Sequence, residues 1–311
     1  MGTTSPDIPA PRALDPGIGD PAQVRTHDAV PITDPVQHRA LPVRMLLPVD
    51  QESWPIVVFS HGSLCSAGQY ERITASWAAR GYAVLMPVHL DALENPPASE
   101  PPDLQKLLSS RIRDLSCTLD ALPELADAAG APDVFDAGRI AAAGHSFGAL
   151  TALIKVGLAL RPGEYRLDGS PADARFSAAI SMSGVGPLPP MADDAFARLN
   201  APLLVTGGTL DEGNVGAGPV FPWEWRMSAY SQAPAGDKFS LALENADHYL
   251  GGLIARDDRG GDADPEGVSI LAAVTAAFLD AYVKKNPSAI DWLATIDLKG
   301  LTNGRARFAA K

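Results

Sequence analysis

The strongest constraint on the fold lies in residues 139–160, RIAAAGHSFGALTALIKVGLAL. Ile140-Ala141-Ala142-Ala143 is a short apolar run of the kind a buried strand shows, and Ala149 to Ile154 begins an apolar, helix-forming run. Between them, Gly144-His145-Ser146-Phe147-Gly148 matches G-x-S-x-G, a serine on a sharp turn from strand to helix. Three fixed residues in five recur by chance, so the flanking strand and helix carry the information. The turn needs small neighbours, because Gly144 and Gly148 let strand and helix approach without a clashing side chain. A serine there stands above a sheet at a helix N-terminus, where free N–H groups and the helix dipole favour developing negative charge. The competing reading is an ordinary glycine-rich turn before a helix.

A serine hydroxyl becomes a useful nucleophile only with a base to take its proton and an acid to orient that base. Leu203 to Gly207 reads as a strand, and Asp211 follows it; Lys238 to Leu243 reads as another, and His248 follows that one. Both fall after Ser146 and beyond strand ends, on one expected edge of a sheet. Glu212 beside Asp211, and Asp247 beside His248, are the alternative acids. Two backbone N–H groups should complete an oxyanion hole, one from Phe147 and one from the loop His61-Gly62-Ser63-Leu64 after the apolar strand Trp54–Ser60.

The remaining elements fit an α/β chain. Val24–Val30 and Ala40–Leu47 read as an antiparallel pair at a sheet edge. A helix over Tyr70–Arg80, closed by Gly81, joins Trp54–Ser60 to a strand at Tyr82–Val88, a right-handed crossover that builds parallel sheets. From Asp103, leucines and Ile112 recur every three or four residues, which predicts a long helix that Pro123 ends or kinks. Ala178–Ser183 is a further strand and Val268–Val283 a covering helix that ends at Asn286-Pro287. The expected organisation is an irregular proline-rich arm over 1–21, a catalytic domain over 22–285, and a polar, weakly helical tail over 286–311.

The segments SHGS, AGHSFGAL, TGGTLDE and ENADHY, in this order, resemble the α/β-hydrolase superfamily. The likeness is to its dienelactone-hydrolase and platelet-activating-factor-acetylhydrolase branch, with the cutinase-like and chlorophyllase-like esterases, and it covers about residues 24–285. The resemblance implies an α/β-hydrolase fold: a mostly parallel central sheet, helices on both faces and an antiparallel N-terminal edge. It implies Ser146 as nucleophile, Asp211 as acid, His248 as base, and the N–H groups of Ser63 and Phe147 as the oxyanion hole. The branch often has an apolar or aromatic residue directly after His-Gly, whereas Ser63 stands here with Leu64 next, so the second donor is open by one position. The stretch Arg161–Arg175 has room for an insertion to which the resemblance gives no role.

The function so reached is a serine carboxylic-ester hydrolase acting on a small or medium ester, with no cofactor and no metal. The alternatives are an acyltransferase, thioesterase or peptidase on the same triad, or a catalytically silent binding protein. Leu64, His89, Trp223 and Trp225 are candidates for the substrate pocket; the tryptophans follow a glycine-rich approach, Gly213 to Gly218, that reads as mobile. The contrary readings are a structural His89 and tryptophans that cap the core. Cys65 is the one rival nucleophile, without an elbow of its own. Two cysteines make no disulfide framework or zinc pair, and the six histidines are too scattered for a metal spacing. A net charge of −12 gives no attraction to nucleic acid. Met1–Asp20 lacks a basic region followed by an apolar core, so a cytoplasmic location is the default expectation. No stretch is long enough for a membrane span, and the oligomeric state is not legible.

Overall fold

The computed structural model describes residue 14 and residues 22–36, 38–49, 53–96, 102–167, 170–213 and 218–311. Apart from Leu14, the expected N-terminal arm lies outside the described residues, as do residues 214–217 of the glycine-rich approach.

The first half of the chain runs β1 (Val24–Asp34), β2 (Arg39–Pro48), β3 (Trp54–Ser60), α1 (Glu71–Ala79), β4 (Ala83–Pro87), α2 (Leu104–Asp120), α3 (Leu122–Ala129), β5 (Phe135–His145) and α4 (Phe147–Lys155). The second runs β6 (Ala178–Met182), β7 (Leu203–Gly208), α5 (Ser228–Gln232), β8 (Lys238–Leu243), α6 (Pro265–Tyr282), α7 (Pro287–Thr295), α8 (Leu298–Leu301) and β9 (Ala306–Ala310). Among the described residues they form one nine-stranded sheet in the order β1-β2-β4-β3-β5-β6-β7-β8-β9. The strands from β4 to β8 in that order are parallel, and antiparallel pairs close both ends. This is the expected fold class, with a second antiparallel edge that the sequence did not announce.

Strand character follows burial. β3, β4, β6 and β7 are buried at every position, as parallel strands covered on both faces must be. One face is covered by α1 and α6, whose Trp77 and Phe278 join Phe59, Tyr70 and Tyr82 in a common cluster. Burying an aromatic of this size contributes on the order of 2–3 kcal/mol. The polar ends are satisfied: Trp77 Nε1 donates to Thr275 Oγ1 and Tyr82 OH to Asp280 Oδ1, each at 2.9 Å. The other face is covered by α2, α3, α4 and α5.

Helix ends follow local chemistry. The Asp103 carboxylate caps α2 by accepting from the Lys106 N–H at 2.7 Å. The helix ends at Asp120, just before Pro123, which itself sits in the first turn of α3, where its missing N–H costs nothing. Asn286 likewise begins α7 as its cap as well as following α6. The residues expected to form a polar, weakly helical tail contribute α7, α8 and, beyond that expectation, β9, which adds antiparallel to β8 from Leu243↔Ala306 to Phe239↔Ala310. Among the described residues, no helix is long and apolar enough to cross a membrane.

Candidate active site

The turn between β5 and α4 puts Ser146 at φ 56° and ψ −117°, a conformation that strains any residue with a side chain by about 1–3 kcal/mol. Its N–H donates to the Met182 carbonyl at 2.9 Å, which ties the turn to the end of β6. The two glycines are needed for backbone proximity. A Cβ on Gly144 would lie 2.2 Å from the Gly148 carbonyl oxygen, and one on Gly148 would lie 1.9 Å from that of Ser60. Both obstacles are backbone, so Gly148→Ala is expected to cost about 3 kcal/mol or more of stability, read as a lowered denaturation midpoint.

The loops after β7 and β8 bring the acid and the histidine together. His248 Nδ1–H donates to Asp211 Oδ1 at 2.9 Å, and the carboxylate is buried. Arg226, itself buried, stands with Nε 2.5 Å from the same oxygen. The guanidinium also donates to the carbonyls of Asp211, Ser183, Gly184 and Glu212, at 3.1–3.3 Å. A buried cation with this many acceptors locks the acid loop to the end of β6. The alternative acids are placed otherwise. Asp247 spends its carboxylate on the backbone N–H groups of Tyr249, Gly251 and Gly261 at 2.8, 3.0 and 2.6 Å, which shapes the histidine loop. Glu212 is exposed.

Ser146 and His248 line one cavity of about 430 Å³ together with Gly62, Ser63, Leu64, Cys65 and Arg226. Of the expected pocket residues it includes Leu64 only. His89 is completely buried, because its Nε2 accepts from the Ser60 hydroxyl and its Nδ1–H donates to Asp114 Oδ2, both at 2.8 Å. Trp225 stacks on Phe221 with centroids 4.9 Å apart and is packed against Gly186 and Gly213, while Trp223 lies under the Arg307 guanidinium. Cys65 is in the cavity wall, but burial pushes its thiol up from the ordinary value, which depletes the thiolate a nucleophile requires. Among the described residues, no group of three or more His, Cys, Asp or Glu side chains could hold a metal ion.

Two buried polar struts join these loops. The Gly62 N–H donates to Tyr70 OH at 2.9 Å, Tyr70 OH donates to His145 Nδ1 at 3.0 Å, and His145 Nε2–H donates to the His248 carbonyl at 3.0 Å. The oxyanion loop, the serine turn and the histidine loop are thus connected. The donor sequence requires a neutral His145, and burial followed by the nearby His248 pushes it well below the ordinary value. The second strut centres on Arg111 and Asp91. Burial works to raise the Asp91 carboxyl, but the charge and hydrogen bonds of Arg111 hold it down to about 2.

These buried groups make stability depend on pH. His61 and His89 are also pushed well below the ordinary histidine value, by burial first and then by His89 and Arg111 respectively. Below about pH 6.5 the unfolded chain therefore binds protons at three histidines that the fold keeps neutral, so stability is lost as pH falls. Asp114 acts in the opposite sense: burial, working against Arg39, pushes it up to about 7, and its contribution is lost as pH rises through that value. Three protons against one leave acidification dominant. Denaturant titrations should show unfolding free energy falling by roughly 2 kcal/mol per pH unit between pH 6 and 5; a flat profile would contradict the buried neutral histidines.

Residues 34–95 match the family model described as platelet-activating factor acetylhydrolase, isoform II. The match spans β2 to β4, with the His61-Gly62-Ser63-Leu64 loop, and the order and direction of the strands agree with it at the level of the fold. The fold is that of the α/β-hydrolase superfamily. A search of curated proteins found no match. The matched segment supports an ester-bond hydrolase of the lipase and esterase type, and it ends before Ser146, Asp211 and His248.

Proposed function

We propose that the protein is a serine carboxylic-ester hydrolase with Ser146 as nucleophile, His248 as general base and Asp211 as the acid that orients it. The observation that carries the reading is the His248 Nδ1–H hydrogen bond to the buried Asp211 carboxylate, with His248 and Ser146 on one cavity wall at the C-terminal edge of the parallel strands. A proton on Nδ1 leaves Nε2 free to accept the serine proton.

In this reading the Ser146 hydroxyl oxygen attacks the ester carbonyl carbon while His248 Nε2 takes its proton. The carbonyl oxygen becomes an oxyanion between the N–H groups of Ser63 and Phe147. Ser63 is favoured over Leu64 because the Leu64 N–H already donates to Asp91 Oδ2 at 3.4 Å. The imidazolium returns the proton to the departing alcohol, leaving an acyl-Ser146 ester. Water then attacks that ester, again deprotonated by His248, and the acid departs.

Turnover of p-nitrophenyl esters from acetate to longer acyl chains tests the proposal. Hydrolysis by the wild type and its loss in His248→Ala is the expected result; equal rates in the two proteins would overturn it.

A further inference from the structure

The loop that carries Ser63 is held from behind by a buried cation. Arg111, on α2, is fully buried, and it donates from Nη1 to the His61 carbonyl at 2.7 Å and from Nη2 to the Gly62 carbonyl at 3.1 Å. Asp91 braces the guanidinium, accepting from Nε at 3.0 Å and from Nη2 at 2.9 Å. The same carboxylate accepts from the Ser63 hydroxyl at 3.3 Å and the Leu64 N–H at 3.4 Å. On its other side the Arg111 guanidinium carbon lies 4.6 Å from the centre of the Phe147 ring. One side chain therefore touches both residues whose N–H groups form the proposed oxyanion hole or the peptides next to them.

Peptide geometry gives this contact a consequence. In a trans peptide the C=O and N–H lie in one rigid plane and point in opposite directions. The Gly62 carbonyl belongs to the same plane as the Ser63 N–H. Holding that carbonyl toward Arg111 turns the N–H the other way, toward the cavity that Gly62, Ser63 and Ser146 line. His61 adds a second donor: its Nε2 accepts from the His89 N–H at 3.2 Å, so its Nδ1 carries the proton and donates to the Gly62 carbonyl at 2.8 Å. A flipped peptide would cost Arg111 Nη2 its Gly62 acceptor and aim a carbonyl, in place of a donor, at the developing negative charge. Leu64, at φ 54°, shows that the loop is held in a strained conformation.

We propose that Arg111, braced by Asp91, is a positioning residue that keeps the Gly62–Ser63 peptide in the sense that aims the Ser63 N–H at the oxyanion. The proposal rests on the serine-hydrolase reading above. It concerns the transition state alone, since a ground-state ester carbonyl gains little from the same donor.

The test compares the full chain with its Arg111→Lys and Asp91→Asn variants, each rate divided by the concentration of sites titrated with a fluorophosphonate. Arg111→Lys cannot reach two carbonyls and a carboxylate at once, so kcat should fall about 10²-fold with KM changed less than about threefold. Asp91→Asn weakens the brace and should lower kcat about tenfold. The inhibition constant of a trifluoromethyl ketone, whose adduct oxygen occupies the oxyanion position, should rise in step with each loss of kcat. A lowered denaturation midpoint with kcat per titrated site and the ketone constant unchanged would overturn the proposal and leave Arg111 a stabilising residue. If Arg111→Lys does not fold, Asp91→Asn decides by the same criteria. The underlying reading is checked separately in Ser146→Ala: if that variant hydrolyses esters as the wild type does, both fall, whereas if it is inactive and the Arg111 and Asp91 variants keep full kcat, only the positioning role is wrong.

Discussion

Replacing Ser146 with Ala should lower kcat/KM for ester hydrolysis by roughly 10⁵–10⁶, because the attacking atom itself is removed. What survives should be the small acceleration that binding and the oxyanion hole give to attack by water. The fold should be indifferent, because alanine at φ 56° carries the same backbone strain as serine. Glycine should not. Ser146→Gly should be equally inactive but more stable than Ser146→Ala by about 1 kcal/mol, since glycine adopts positive φ without a Cβ penalty. Steady-state rates and denaturant titrations of the three proteins would separate nucleophile from scaffold. If Ser146→Ala retained activity within tenfold of the wild type, the elbow would be a turn and nothing more.

Asp211→Asn is the second large effect, with an expected loss of about 10⁴ in kcat. The carboxylate accepts the hydrogen bond from His248 Nδ1–H, and a side-chain amide can present N–H groups to the ring instead. The proton then moves to Nε2, where the base needs a lone pair. Stability should drop too. Arg226 is buried against Asp211, and removing the carboxylate leaves a buried cation with neutral acceptors alone, at a cost of about 3 kcal/mol. Loss of activity together with a lower midpoint is the expected pair of results. An Asp211→Asn variant with nearly full activity would move the acid role to Glu212 or Asp247, the latter of which already has its oxygens committed to backbone N–H groups.

Much of this site could be read in the sequence because each part had a local signature. The elbow needs glycines at fixed positions, β3 is an unbroken apolar run, and Asp211 and His248 come directly after strands of the same kind. The supporting residues had no such signature. Arg226 lies between Trp225 and Met227, and its role depends on a carboxylate and carbonyls distant in the chain. Arg111 did leave a trace: with Leu108, Ile112 and Leu115 it occupies the buried side of α2, where a charge must be paired to be tolerated. His89 and the tryptophans, which the sequence offers both as pocket candidates and as structural residues, do not line the cavity that holds Ser146 and His248. Chain position sets the edge a residue reaches, while its packing decides whether it meets the cavity: His89 is buried against Asp114 of α2, Trp225 packs on Gly186 and Gly213, and Trp223 lies under Arg307. In the tail only β9 was missed, because it is short and mostly exposed, with an alternation too weak to mark a strand before its partner β8 is known.

Covalent labelling tests most directly whether Ser146 is the nucleophile. Treatment of the wild type with a fluorophosphonate, followed by intact mass measurement and peptide mapping, should give one adduct per chain, on Ser146, with hydrolysis lost in proportion to labelling. No adduct should form in Ser146→Ala. Labelling at another residue, or full hydrolytic activity after Ser146 is completely modified, would contradict the account.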